Sequence, residues 1–137
     1  MPSEIMEPAS PERISAFPED VLIVEDDVII ALDFEETILG FGVKTVRIAA
    51  RVAQALEMIA ERAPGFALLD VGLFNEKSFA IAERLDALKI PFAFVTGYGP
   101  MVAFPAAFAD RPILAKPYSA DALKALLTRS SDNGTTR

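Results

Sequence analysis

Val21-Leu22-Ile23-Val24 runs directly into Glu25-Asp26-Asp27, and Phe66-Ala67-Leu68-Leu69 ends in a further carboxylate, Asp70. A third apolar run closes on the hydroxyl of Thr96, and a fourth on Lys116. Short apolar runs bounded by polar residues read as buried parallel strands, and open α/β sheets bind ligands beyond the carboxyl ends of their strands. Four distant segments thus deliver carboxylates, a hydroxyl and an ammonium to one rim. Anions crowded together repel, and all stay ionised only if a cation compensates them. Oxygen donors of this hardness select Mg²⁺ or a similar ion, which keeps waters and takes a phosphate oxygen readily. Asp70, alone at the end of a central strand, reads as a nucleophile that attacks phosphorus to give an aspartyl phosphate. A transferring phosphoryl group carries charge on its equatorial oxygens, where the metal, Lys116 and Thr96 can stabilise it. Pro117 keeps the preceding Lys116 extended and leaves both isomers of the bond between them open.

Each piece has a plainer reading. An acidic residue after a strand is commonly a helix N-cap, and Asp26 or Asp27 alone would fit that role. A threonine at a strand end and a lysine before proline are ordinary. The order and spacing of the whole set carry the functional reading. Tyr98, Phe104 and Phe108 read as packing residues.

The elements that must position these groups follow from periodicity. Residues 1–20 carry Pro2, Pro8, Pro11 and Pro18 among Ser and Glu and read as a flexible N-terminal tail, with Ile14 and Phe17 able to dock on the body. Residues 28–39 form a helix with Ile30, Phe34, Ile38 and Phe41 on one face, stopped by Gly40 and Gly42. Residues 43–49 suit a charged edge strand. Residues 51–63 place Val52, Leu56, Ile59, Ala60 and Ala63 at helical spacing, and residues 78–89 do the same for Ile81, Leu85 and Leu88. Strands are expected at 66–70, 91–96 and 111–116. A last helix from a Ser119 cap through Leu127 buries Leu123, Leu126 and Leu127. Between 97 and 110 the glycines and prolines oppose a long helix, so a flexible loop and a short helix at 105–110 are expected. The count is (βα)5: an α/β, doubly wound parallel five-stranded sheet. The domain spans 21–129, and 130–137 reads as a flexible C-terminal tail.

Composition removes several classes. The 137 residues contain neither cysteine nor histidine, which excludes disulfides, thiolate or imidazole metal sites, Ser-His triads and a histidine phosphocarrier. A formal charge of −7 with scattered basic residues opposes a nucleic-acid partner. No apolar run approaches the roughly 20 residues of a membrane span, and the acidic start lacks the order of a signal peptide. A soluble, cytoplasmic protein with no membrane partner is expected, a monomer or weak dimer.

In its combination of motifs the chain resembles response-regulator receiver domains, the phosphoacceptor half of two-component signalling. Val21-Leu22-Ile23-Val24-Glu25-Asp26-Asp27, Leu68-Leu69-Asp70-Val71-Gly72-Leu73, Val95-Thr96-Gly97 and Leu114-Ala115-Lys116-Pro117-Tyr118 carry the resemblance, which covers about residues 21 to 128. It implies a flavodoxin-like receiver fold with strand order 2-1-3-4-5. It also implies Asp70 as phosphoacceptor, Asp26 as direct metal ligand, Glu25 acting through water, and the Gly72 carbonyl completing the Mg²⁺ shell. Asp27 is then the following, dispensable position. Ile90 to Gly99, with Pro112 to Pro117, is similar to the "FAT GUY" subgroup, mostly stand-alone receivers associated with the general stress response and HWE/HisKA2-type kinases. One departure is Ile113, where many receivers carry an aromatic ring that turns inward. Ring rotation cannot be the switch there, and Tyr98 is the candidate in its place.

The expected function is a single-domain response regulator with no attached output domain. A histidine kinase phosphorylates Asp70 with Mg²⁺, and output passes by protein contact, through a downstream partner or phosphotransfer protein, or by draining phosphate. It is a phosphoacceptor and not a turnover enzyme. The alternative is a receiver-like interaction module that works unphosphorylated. A haloacid-dehalogenase-like phosphatase needs a second Asp where Gly72 stands, and a flavin binder needs a phosphate cradle where Glu25-Asp26-Asp27 would repel one.

Overall fold

Strands covered on both faces tolerate no polar interior position, and the apolar runs obey that rule. The protein is a computed structural model that describes residues 17–73, 77–97, 108 and 110–136, with side chains through residue 128. The tail at 1–16, Tyr98, Phe104 and most of the loop and short helix expected between 97 and 110 lie outside the described residues.

In chain order the elements are β1 (Asp20–Val24), α1 (Val28–Gly40), β2 (Thr45–Ala49), α2 (Val52–Glu61), β3 (Phe66–Asp70), α3 (Phe79–Ala87), β4 (Phe92–Thr96), β5 (Ile113–Ala115) and α4 (Ala120–Thr136). The five strands form one sheet in the order β2-β1-β3-β4-β5, every neighbouring pair parallel. This is the expected receiver order, with β2 and β5 at the edges.

Alternate strand residues feed two cores. Leu22, Val24, Ala67, Leu69, Phe92 and Phe94 face Ala55 and Ile59 of α2 and Ile81, Ala82 and Leu85 of α3. Val21, Ile23, Phe66, Leu68, Ala93 and Val95 face Phe34 and Ile38 of α1 and Leu123, Leu126 and Leu127 of α4. In the first core Phe108 packs against Phe94 at 5.8 Å between ring centroids, and Phe92 meets Phe94 edge-on at 5.5 Å. Phe108 is thus the packing residue its type implied. Phe17 also docks, stacking on Phe41 at 5.6 Å.

Several details differ from the periodic reading. In α2 the buried positions are Ala55 and Ile59, whereas Ala60 and Ala63 face solvent. Helix α3 ends at Ala87 and leaves Leu88 48 % exposed, because Lys89 takes a positive φ of 61° and turns the chain away. The last helix continues through Thr136 rather than ending near Leu127. At the end of α1, Gly42 adopts φ 107°, a conformation that suits glycine alone. Edge strand β2 is held by Arg47, whose guanidinium grips Asp20 of β1 at 2.6 Å and donates to the carbonyls of Met58 and Arg62.

Candidate functional site

Register decides which polar termini meet. Val24 pairs with Leu69, so Glu25 and Asp70 emerge side by side from β1 and β3. Asp70 pairs with Val95 and Thr96 with Ala115, which brings the ends of β4 and β5 to the same rim. Three backbone bonds extend the ladders past the strand ends: Glu25 N to Ala49 O (2.9 Å), Val71 N to Val95 O (3.0 Å) and Lys116 N to Thr96 O (2.9 Å). The rim groups therefore start from a rigid frame.

Oxygen atoms of Glu25, Asp26 and Asp70 all lie within 4.8 Å of one another. Glu25 is only 3 % exposed and Asp70 7 %, while Asp26 is half-buried. The Lys116 ammonium spans the two buried carboxylates, 3.1 Å from Glu25 Oε1 and 3.5 Å from Asp70 Oδ2. The Gly72 amide donates to Asp70 Oδ1 at 3.1 Å, and the Asp27 amide to Glu25 Oε2 at 3.1 Å. Thr96 is buried at the end of β4. The bond between Lys116 and Pro117 is cis.

Asp27 is drawn elsewhere. Its carboxylate accepts from the amides of Ile29 (3.0 Å) and Ile30 (3.2 Å), capping α1 and leaving the acidic group to its neighbours. Ile113 is 46 % exposed on the edge strand, and Tyr98 lies outside the described residues.

The electrostatics follow from burial. Loss of water, with a hydrogen bond to and charge repulsion from Asp70, pushes the Glu25 carboxyl up to about 7. Burial works to lower the Lys116 amine, but the Asp70 and Glu25 carboxylates outweigh it and hold the pKa above the ordinary value. One ammonium thus faces more negative charge than it can neutralise. The three carboxylates offer hard oxygen donors on one side of a rim, a set suited to Mg²⁺ with waters in its remaining positions.

A cluster that pattern reading passed over lies beside the site. The Tyr118 ring stacks on Phe34 at 4.5 Å, and its hydroxyl donates to Asp33 Oδ2 at 2.7 Å and lies 3.2 Å from Thr37 Oγ1. The only advance signal was a tyrosine after Lys116-Pro117 and a polar pair four residues apart on α1. Ile29, Ile30, Asp33, Lys116, Pro117 and Tyr118 line a largely apolar groove of about 460 Å³ between α1 and this turn.

A doubly wound parallel sheet with an acidic group and a lysine at its carboxyl rim defines a receiver, and comparison agrees: the chain belongs to the response-regulator receiver family. It is 36 % identical to SdrG from Sphingomonas melonis Fr1, with a TM-score of 0.72 over 85 % of this chain and 97 % of that one. A putative response regulator from Chloroflexus aurantiacus is 27 % identical, with a TM-score of 0.73 over 84 % of this chain and 98 % of that one. Among curated proteins, the phyllosphere-induced regulator PhyR of Methylorubrum extorquens is 26 % identical over 136 residues, 93 % of this chain. The chain spans about half the length of that relative, 49 %. No family model matches the chain. Receivers are signalling proteins, not turnover enzymes. Among the described residues no helix is long and apolar enough to cross a membrane.

Proposed function

We propose that the protein is a Mg²⁺-dependent phosphoacceptor whose Asp70 takes a phosphoryl group from a histidine kinase, HWE/HisKA2-type by its resemblance to the "FAT GUY" subgroup. The observation that carries this reading is the convergence of Glu25, Asp26 and Asp70 within 4.8 Å, bridged by Lys116. Glu25, Asp26, Asp70 and the Gly72 carbonyl would hold the ion, which supplies positive charge to the phosphoryl oxygens when bound. An Asp70 carboxylate oxygen bonds to phosphorus as the bond to the donor's phosphohistidine nitrogen breaks, and the imidazole leaves with that electron pair. Lys116 stabilises the developing charge as a point cation and Thr96 as a hydroxyl donor. The product adds about −1.5 to −2 charge at the rim and draws Thr96 and Lys116 toward it, with Tyr98 the candidate that relays the change.

Output passes through protein contact or by draining phosphate from a kinase. Likeness to PhyR proteins of known structure, described as a stress response regulator and as an anti-anti-sigma factor, supports a place in the general stress response. Val28, Ile29 and Leu32 are exposed on α1 next to the rim and give a protein donor apolar surface to meet. A cytoplasmic setting is part of the same reading.

The test is labelling with an acyl phosphate and Mg²⁺. Wild type should form an acid-stable, alkali-labile adduct, and Asp70→Asn should form none. Persistent labelling of Asp70→Asn would refute the assignment.

A further inference from the structure

An ammonium on a flexible four-carbon stem points reliably only if its backbone is held from both sides. On one side of Lys116, its own amide bonds to the Thr96 carbonyl and fixes the end of β5 against β4. On the other side nothing in the sheet holds the chain, because β5 ends at Ala115 and α4 begins at Ala120. Tyr118 supplies the second anchor, and it does so on a different element.

We propose that Tyr118, clamped by Asp33 and Thr37 of α1, is a positioning residue that aims Lys116 at the phosphoryl site. The ring lies nearly parallel to Phe34, with 13° between planes and 4.5 Å between centroids. The hydroxyl donates to Asp33 Oδ2 at 2.7 Å, a charge-assisted bond of the strong class. Thr37 Oγ1 donates to the Asp33 carbonyl at 2.9 Å and stands 3.2 Å from the Tyr118 oxygen, closing a three-residue cluster. Helix α1 is itself capped by Asp27, whose amide holds Glu25 Oε2. One helix therefore references both partners of the Lys116–Glu25 ion pair: Glu25 through the cap at its first turn, and Lys116 through Tyr118. A shift of α1 would move the cation and the carboxylate together. The inference rests on Asp70 being the phosphoacceptor and adds residues that set the rate at that site.

The experiment measures acyl-phosphate labelling rate against donor concentration, Mg²⁺ affinity and thermal midpoint in wild type and four variants. Tyr118→Phe keeps the ring and its stacking but loses the hydroxyl. Its maximal rate should fall about 5- to 10-fold, the scale of one ordinary lost hydrogen bond, while half-saturation and Mg²⁺ affinity stay unchanged. Asp33→Ala should match it, whereas Asp33→Asn keeps an acceptor oxygen and should recover most of the wild-type rate. The double variant Tyr118→Phe/Asp33→Ala should be no slower than either single change. A wild-type rate in Tyr118→Phe overturns the proposal, as does a loss shared in proportion by Mg²⁺ affinity and thermal midpoint, which marks a merely structural role. If folded wild type takes no label, the phosphoacceptor reading fails and this inference fails with it. A labelled wild type with an indifferent Tyr118→Phe removes the positioning role alone.

Discussion

The Lys116 ammonium faces two buried carboxylates, Glu25 and Asp70, and that imbalance governs behaviour at the scale of single residues. Glu25 is held near 7 against an ordinary 4.5, so the folded state binds its proton more tightly than the unfolded chain. Below about 4.5 both states are protonated and the site is without penalty. Between 4.5 and about 7 the folded state retains a proton that the unfolded state has lost, so stability falls as pH rises through this window. Without a metal, wild type should lose about 3 kcal/mol across that range relative to Glu25→Gln, read by denaturant melts at several pH values. A divalent cation favours the ionised form, so protons and Mg²⁺ compete. Mg²⁺ affinity should weaken as pH drops from 8 to 6, which calorimetry at the two values would measure; a pH-independent affinity would exclude Glu25 from the ion's surroundings.

At the scale of elements, register and capping do separate work. The pairing of Val24 with Leu69 sets Glu25 beside Asp70, and a one-residue slip would turn alternate side chains to the wrong face. Capping then separates Asp27 from Asp26. Asp27→Ala should cost about 1 kcal/mol in denaturant unfolding, the ordinary loss for an N-cap, yet retain labelling by acyl phosphate and Mg²⁺. Complete loss of labelling would mean that Asp27, not Asp26, belongs to the acidic group. Its amide bond to Glu25 survives the change, because it comes from the backbone.

At the scale of the whole molecule, two cores clamp one sheet, and the rim stays rigid because neither core can yield. Phe94 is fully buried and meets Phe79, Phe92 and Phe108 at 5.5 to 5.8 Å. Phe94→Ala should destabilise by about 3–5 kcal/mol in urea melts, and a loss below about 1 kcal/mol would mean that the aromatic cluster is loosely packed. The chain spans about half of its PhyR relative, so the receiver is the unit whose stability such melts report.

The apolar runs at residues 21–24, 66–69 and 92–95 were legible because interior parallel strands bury both faces and leave no ambiguity of period. The polar residues ending those runs were legible for the same reason: an abrupt end to an apolar run marks the sheet's rim. Helix edges were harder, since Leu88, Ala60 and Ala63 have apolar side chains that periodicity alone turns inward, and only packing showed them to be exposed. Asp26 and Asp27 are chemically alike, and their side chains offer no ground to tell them apart; the resemblance to receivers ranked them, and the tertiary structure puts one near Asp70 and the other over the α1 amides. The Tyr118 clamp joins residues about eighty positions apart. No local pattern encodes such a contact, because its partners meet only when α1 and the end of β5 pack on the same face of the sheet.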